Sequence, residues 1–296
     1  WIVLFKLVNF HARKLLYYLY KMKTLFIISI LFFISCTKVI SNENIKKKEI
    51  LNNSEFYKKF ISNNEKHLTE ISFQNNKQNG EYITYFNNGS IAFRSSYKSN
   101  KLDGKFIKYF KNGNIKEIGA FKKDMKYGLH KTFYNSGQIM SIKNYKSGKI
   151  HGKYIIFYKN GNKQLETKYT EGMRQGNFNY FYVNGQLFKK SIYKNGKLDG
   201  EFISYYKNGN LFEKKYYVKG KLEGKHLTFK KNGILLDATQ FKNGNLNGEH
   251  IIYYNSGRPK LKGLYKNGKA QGRFLKFYDN NKIESEYNFE DGVLEG

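Results

Sequence analysis

Residues 200–224 read GEFISYYKNGNLFEKKYYVKGKLEG, and this stretch decides the fold. Besides its first and last residues, two glycines divide it: Gly209 and Gly220 separate runs rich in aromatic and aliphatic side chains. Because glycine accepts the left-handed backbone of tight turns, the stretch predicts two short strands and two turns. The opening glycine recurs every 24 residues, a signature of stacked repeats, at Gly80, Gly104, Gly128, Gly152, Gly176, Gly200, Gly224, Gly248, Gly272 and Gly296.

Two turn signals recur in every copy. We number each repeat from its opening glycine, so that phase n is the residue n positions after it. Phase 9 is glycine in eight copies, usually preceded by asparagine as in Asn208-Gly209, which predicts a two-residue type I′ turn. Phase 20 is glycine in seven copies, with Asn100 and Asp124 in the others, and predicts a second turn. Each repeat should therefore add two strands to one antiparallel meander.

The turn positions also predict the register of the strands. With phases 8 and 9 in the loop, phase 6 faces phase 11, which pairs Phe110 with Ile115, Tyr134 with Ile139 and Tyr206 with Leu211. The same register sets the phase 0 glycine opposite phase 17, and a ring over a mid-strand glycine restores the missing packing. Phase 17 is aromatic in every copy: Tyr97, Phe121, Tyr145, Tyr169, Tyr193, Tyr217, Phe241, Tyr265 and Phe289.

The register divides the residues between two faces. One face collects phases 0, 2, 6, 11 and 17 and is the predicted core. The other is the candidate binding face, an aromatic row bordered by a lysine row. The aromatic row is phase 5, namely Tyr85, Tyr109, Phe133, Phe157, Phe181, Tyr205, Phe229, Tyr253 and Phe277. The lysine row is drawn from phases 18 and 21, namely Lys98, Lys101, Lys146, Lys149, Lys194, Lys197, Lys266 and Lys269.

Copies such as GEFISYYKNGNLF (200–212), followed by Tyr217 and the segment 220–224, resemble the bacterial variant of the MORN (membrane occupation and recognition nexus) repeat. The resemblance covers about residues 71–296. It implies an all-β fold, an elongated single-layer antiparallel meander of 24-residue hairpin repeats. It also implies the name often given to bacterial members, toxin-antitoxin system antitoxin of the YwqK type. The Glu-Gly-x-Trp/Phe opening of eukaryotic members is missing, so their membrane roles are not carried over.

The N-terminal part has the layout of an export signal. A basic start at 22–24 precedes an apolar run over 25–34, then Ser35 and the only cysteine, Cys36. This order is typical of a bacterial lipoprotein signal, cleaved before a cysteine that becomes lipidated. The run is about half the length of a membrane-spanning helix. Phe33 stands where lipoprotein signals usually carry Leu or Val, so plain secretion stays open as an alternative. A buried core helix is a further alternative for the apolar run.

We therefore divide the chain into four parts. Residues 1–21 precede the first methionine and are interpreted as upstream translation that is absent from the real product. Residues 22–35 form the signal peptide, 36–66 a polar tether or degenerate cap, and 67–296 a domain of about nine repeats. Because the chain begins at Trp1 and stops on an opening glycine, we interpret it as a fragment with further repeats after it.

Composition excludes several functional classes. One cysteine permits neither a disulfide framework nor a Cys-based zinc site. The net charge is +30, but 48 of the 53 basic residues are lysine, whereas base readout favours arginine, so specific nucleic-acid binding is disfavoured. We expect no catalytic residue, metal or cofactor, because His130, His226 and His250 replace the phase 2 aromatics and the recurring carboxylates belong to the turns.

The candidate rows leave two interpretations each. The lysines fit an anionic polymer, or a solvated face that prevents edge pairing; the phase 5 rings fit a ligand-stacking platform or a structural ladder. Exposed apolar area on a single-layer sheet usually marks an interaction site. We expect a non-enzymatic, envelope-anchored lipoprotein scaffold, with its lipid on Cys36, that binds a protein partner or an anionic envelope polymer. The alternative is an antitoxin or immunity-type protein that neutralises a cognate toxin, cytoplasmic if the signal is unused.

Overall fold

The computed structural model describes residues 56–63 and 67–295, and the regular elements in those ranges are all β-strands. The strands are β1 (Phe56–Asn63), β2 (His67–Gln74), β3 (Lys77–Tyr85), β4 (Ile91–Lys98), β5 (Lys101–Leu102), β6 (Gly104–Tyr109), β7 (Ile115–Lys122), β8 (Met125–Phe133), β9 (Ile139–Lys146), β10 (Lys149–Phe157), β11 (Lys163–Thr170), β12 (Met173–Phe181), β13 (Leu187–Lys194), β14 (Lys197–Tyr205), β15 (Leu211–Val218), β16 (Lys221–Leu222), β17 (Gly224–Phe229), β18 (Leu235–Lys242), β19 (Asn245–Tyr253), β20 (Pro259–Lys266), β21 (Lys269–Phe277), β22 (Ile283–Glu290) and β23 (Val293–Glu295). They form one 23-stranded sheet of antiparallel pairs. The prediction of an all-β, single-layer meander of hairpin repeats is confirmed.

The predictions for the N-terminal part fall outside this description. Residues 1–21, the signal at 22–35 and Cys36 lie outside the described residues. Strand β1 falls within the segment 36–66 and pairs with β2. The hairpins of the repeat domain follow from β2 onward.

The second turn of each repeat is a two-residue type I′ turn. In the hairpin of β13 and β14, Asn195 and Gly196 have φ of 51° and 79°, and Lys194 pairs directly with Lys197. Positive φ at both central residues defines this turn and suits the twist of the flanking strands. The Gly196 N–H donates to the Arg174 carbonyl of the preceding repeat at 2.9 Å. Neighbouring turns are therefore hydrogen-bonded to one another.

The first turn is not the two-residue turn that Asn208-Gly209 predicts. Gly209 N–H donates to the Tyr206 carbonyl and Tyr206 N–H to the Asn210 carbonyl, which encloses a three-residue loop. Only Gly209 in this loop has positive φ, so the geometry is a type I turn followed by a left-handed residue. The Asn208 side chain accepts from the Asn210 N–H at 3.2 Å, a local hydrogen bond that keeps Asn208 out of the left-handed region.

This loop changes the pairing beside it. Phase 5, not phase 6, faces phase 11, so the three predicted phase 6 to phase 11 pairs are wrong. The observed partners are Tyr109 with Ile115, Phe133 with Ile139 and Tyr205 with Leu211. A register shift next to phase 5 absorbs the extra residue. The phase 0 glycine consequently still faces the phase 17 ring, as predicted, in all nine repeats.

Apolar burial occurs on both faces of the sheet, whereas the sequence predicts one core face. The ring face carries phases 2 and 17, whose rings touch as in Phe274 and Phe289, with centroids 4.9 Å apart. Phe106 on this face is 1% exposed. The opposite face carries the aliphatic phase 3, where Ile83 and Ile203 are 4% and 7% exposed. The long side chains of one layer thus pack against their neighbours along each face.

We predict unequal costs for replacing two phase 0 glycines. Gly200 has φ of 130°, and a Cβ there would lie 3.0 Å from Ile192 Cβ; Gly224 has φ of 72° and open space around it. Asparagine tolerates the second conformation but not the first. Gly200→Asn should therefore destabilise the sheet by about 2–3 kcal/mol and Gly224→Asn by about 1 kcal/mol or less. Thermal unfolding followed by circular dichroism checks this, and equal losses would contradict it.

Candidate functional site

The lysine row lies at the rim formed by the second turns. We call this rim, made of phases 18–21 of every repeat, the second-turn edge. All eight row lysines are exposed. They form four cross-strand pairs in which each member is the direct partner of the other: Lys98 with Lys101, Lys146 with Lys149, Lys194 with Lys197 and Lys266 with Lys269.

These lysines differ from those within the strands. Lys153 lies 3.1 Å from Glu166, and Lys214 lies 3.0 Å from Glu201. Among residues 67–295, no ion pair involves a lysine of the row. Several strand lysines are therefore paired with carboxylates inside the sheet, whereas the row lysines at the second-turn edge are not.

The aromatic row lies far from the lysine row. Phase 5 ends its strand at the first turn, whereas phase 21 begins the same strand at the second turn. In β14 these residues are Tyr205 and Lys197, eight residues apart, or about 26 Å at 3.3 Å per residue. The prediction that a lysine row borders the aromatic row is therefore wrong, because the two rows occupy opposite ends of the strands.

Tyrosines next to the aromatic row bind one repeat to the next. A phase 6 hydroxyl donates to the phase 5 carbonyl of the following repeat, at 2.8 Å from Tyr158 to Phe181 and from Tyr182 to Tyr205. Tyr134, Tyr206 and Tyr254 make the same bond. All nine phase 5 side chains are half-buried. These contacts favour the interpretation of the row as a structural ladder.

A buried charge cluster that sequence reasoning missed occupies the ring face. His130, 2% exposed, lies 3.6 Å from the Glu117 carboxylate, and Lys126 lies 2.8 Å from it. Contact with His130 and then with Lys126 lowers the pKa of Glu117 from 4.5 to about 2, although burial opposes the shift. Glu117 is therefore held ionised within a row of rings.

Two further histidines repeat this arrangement. His226 Nε2 lies 2.8 Å from Glu213, and His250 Nε2 lies 2.8 Å from Asp237. Burial raises the pKa of each carboxyl group, but hydrogen bonds, chiefly from the histidines, outweigh it and lower both pKa values. The rings still pack as aromatics, with His226 5.9 Å from Phe241. These histidines therefore pack in place of aromatic rings, and each also binds a carboxylate.

A sequence signal for these pairs exists. Phase 13 is acidic in three repeats only, at Glu117, Glu213 and Asp237, and the next phase 2 is histidine only after those three. The two positions are 13 residues apart in the chain and lie on neighbouring strands, as His226 and Glu213 do. The paired substitution therefore indicates contact.

The carboxylates near the second turns also have structural partners. Asp199 accepts the Lys219 N–H at 3.0 Å, and Glu223 accepts the Asn243 N–H at 2.8 Å. Each thus binds the second turn of the following repeat, twenty residues further along the chain. The Asp103 carboxylate makes the equivalent bond. These groups serve the backbone of the turns.

The rest of the described chain offers little enclosed space. A shallow depression of about 180 Å³ is lined by Asn177, Asn179, Lys190, Ser191, Ile192 and Glu201. Within residues 67–295, no group of three or more His, Cys, Asp or Glu side chains is placed to hold a metal ion. No helix in the described ranges has the length and apolarity needed to cross a membrane.

Comparison with known proteins identifies the repeat. The sequence profile of the MORN repeat variant matches residues 78–99, 102–123, 126–147, 150–171, 198–219, 246–267 and 270–291. These seven matches keep the 24-residue spacing or a multiple of it. A search of curated proteins finds no match.

Similarity to solved structures is weak. The TcdB2-TccC3-Cdc42 complex aligns with 75% of this chain and 15% of its own, at 11% identity and a TM-score of 0.19. The Photorhabdus luminescens Tc holotoxin pore aligns with 76% of this chain and 12% of its own, at 10% identity and a TM-score of 0.18. A protein of unknown function from Bacteroides caccae aligns with 75% of this chain and 72% of its own, at 11% identity and a TM-score of 0.16. Similarity this weak carries no information about function.

We predict that the Glu117 cluster makes stability depend on pH. The pKa of the Glu117 carboxyl group is lowered on folding, so the charged carboxylate stabilises the sheet above about pH 4.5. This contribution disappears as the pH falls towards 2. Glu117→Gln should cost about 1–3 kcal/mol at pH 7 and progressively less below pH 4. Melting temperatures of both proteins across this range check it, with the exposed turn variant Glu171→Gln as control. A pH-independent difference would contradict the prediction.

Proposed function

This chain belongs to the MORN repeat variant family, and from that membership we propose that it is a non-enzymatic binding scaffold of the cell envelope. It recognises a protein or an anionic glycan along the sheet. A lipid on Cys36 holds it at the membrane. Lysine pairs recur in four of the hairpins along one edge of the sheet, which suits an extended partner.

One observation carries the binding role. Several lysines within the strands, such as Lys153 and Lys214, have carboxylate partners in the sheet, whereas the eight row lysines of the second-turn edge are exposed and form no ion pair among the described residues. A row of unpaired charges attracts a partner of opposite charge. Its lysine pairs stand at least four strand separations, or about 19 Å, apart, which allows several weak contacts along one extended ligand.

The titratable groups support a non-enzymatic role. Nucleophilic or acid–base catalysis needs groups that converge on a space where substrate can sit. Here Glu213 and Asp237 bind histidines that pack against rings, and Asp199 binds a turn amide. Each of these groups has a structural task that accounts for its position.

The envelope location rests on residues 22–36. The basic start, the ten-residue apolar run and the small residue before Cys36 have the order typical of a lipoprotein signal, from which Phe33 departs. Removal of the signal would leave Cys36 as the first residue of the processed chain. The polar segment 36–66 would then separate the lipid from the repeats.

Expression from Met22 tests the anchor. We expect the processed chain to carry a lipid on Cys36 by intact mass and to sediment with the membrane fraction. Cys36→Ala should yield an unprocessed, unlipidated form, whereas Ser41→Ala, a change in the tether, should leave processing intact. An unmodified wild-type chain in the soluble cytoplasm would contradict the proposal and favour the antitoxin function instead.

A further inference from the structure

We propose that the second-turn edge binds a linear anionic polysaccharide, gripped by its opposed lysine pairs. This inference rests on the proposed binding function and narrows it to one surface and one class of ligand. The binding unit is the hairpin rim at which phases 18 and 21 face each other across a two-residue turn.

The opposed lysines destabilise the folded sheet when no ligand is bound. Lys146 and Lys149 are direct cross-strand partners, and so are Lys194 and Lys197. Like charges placed directly opposite each other destabilise a sheet, and opposite charges there would stabilise it. A repeating arrangement that costs stability, at exposed positions, points to a role in binding.

Nearby acidic groups do not neutralise the pairs. Asp103 and Asp199 each lie two residues beyond a row lysine, but their oxygens accept backbone N–H groups of the next turn. The Asp124 carboxylate, in the turn between two pairs, accepts the Leu102 N–H at 2.7 Å. These carboxylates reduce the net charge of the edge without forming ion pairs with the row.

The spacing of the pairs favours a chain-like ligand. The pairs beginning at Lys98, Lys146 and Lys194 recur every 48 residues, which is four strands or about 19 Å. Between them lie hairpins without an opposed lysine pair, in which Lys122 faces Met125 and Thr170 faces Met173. The charges therefore follow a single line one hairpin wide, and a linear polymer can contact them in succession.

The side chains of the edge argue against nucleic acid. Binding to single strands uses aromatic rings on which bases stack. Phases 18 and 21 contain no aromatic residue in any repeat from β3 onward, and the phase 5 rings lie about 26 Å away at the other strand ends. The edge also lacks arginine, whose forked guanidinium suits phosphates.

A protein partner fits the edge less well. Protein interfaces surround a desolvated core of aromatic and apolar residues with a polar rim. The apolar side chains here, such as Met125 and Met173, stand about 19 Å apart with a lysine pair between them. They form no continuous patch that a folded protein could cover.

The test compares two variants of equal charge, both made in the chain expressed from Met22 and carrying Cys36→Ala. The edge variant replaces Lys146, Lys149, Lys194 and Lys197 by Gln. The control variant replaces four exposed lysines of the first-turn rim by Gln, namely Lys111, Lys159, Lys207 and Lys231. Fluorescent polygalacturonate is the probe, with neutral dextran, a single-stranded oligonucleotide and phosphatidylglycerol vesicles as comparisons, in fluorescence anisotropy or sedimentation.

We expect the edge variant to bind polygalacturonate about tenfold more weakly and with a shallower salt dependence, because fewer counterions are released. The control variant should stay within about twofold of the parent. The edge variant should also melt at the same or a higher temperature than the parent, since its opposed charges are gone. That result excludes unfolding as the cause of lost binding.

Three outcomes would overturn the inference. They are equal losses in both variants, tighter binding to the oligonucleotide or the vesicles than to polygalacturonate, and no binding by the parent. None of them affects the test of the envelope scaffold, which is read from lipidation and fractionation. Conversely, a soluble, unlipidated chain would contradict the envelope proposal and would not change the result of the binding measurement.

Discussion

Left-handed backbone at the second turns is the constraint on which the rest of the sheet depends. Phases 19 and 20 both have positive φ in every repeat, including those where a non-glycine residue such as Asp124 fills phase 20. Two residues of this geometry close the hairpin with phases 18 and 21 directly opposed. Each turn N–H then binds the preceding repeat, as Gly196 binds the Arg174 carbonyl. The register of one hairpin is thereby transmitted to the next.

A sheet without a second layer must obtain its packing from neighbours in the same layer. Rings of phases 2 and 17 cover one face, and the aliphatic residues of phase 3 cover the other, so burial is shared between Phe106 and residues such as Ile203. Tyrosine hydroxyls bind consecutive repeats at the first turns. Because each repeat contacts only its neighbours, stability accumulates along the chain, and a local defect affects one interface at a time.

The same register separates two kinds of charge. Several carboxylates in the strands form ion pairs with basic side chains, and contact with His130 and Lys126 keeps Glu117 ionised well below its usual pH range. At the second-turn edge, the turn geometry places lysine opposite lysine and directs the nearby carboxylates to backbone amides. The opposed lysines of the rim are therefore a consequence of how the hairpins close.

The sequence alone determined the strands, the meander and the pairing of phase 0 with phase 17, because a fixed period of glycines and rings restricts both backbone and register. It could not choose between two turns for Asn208-Gly209, since both place glycine in the left-handed region; the Asn208 side-chain bond to Asn210 decided that. The distance between the aromatic and lysine rows was also decided by the tertiary structure. The alternation of side chains along a strand predicts which face a residue occupies, but not how far along the strand it lies. The histidine–carboxylate pairs joined residues 13 positions apart, and only strand pairing brings such positions into contact.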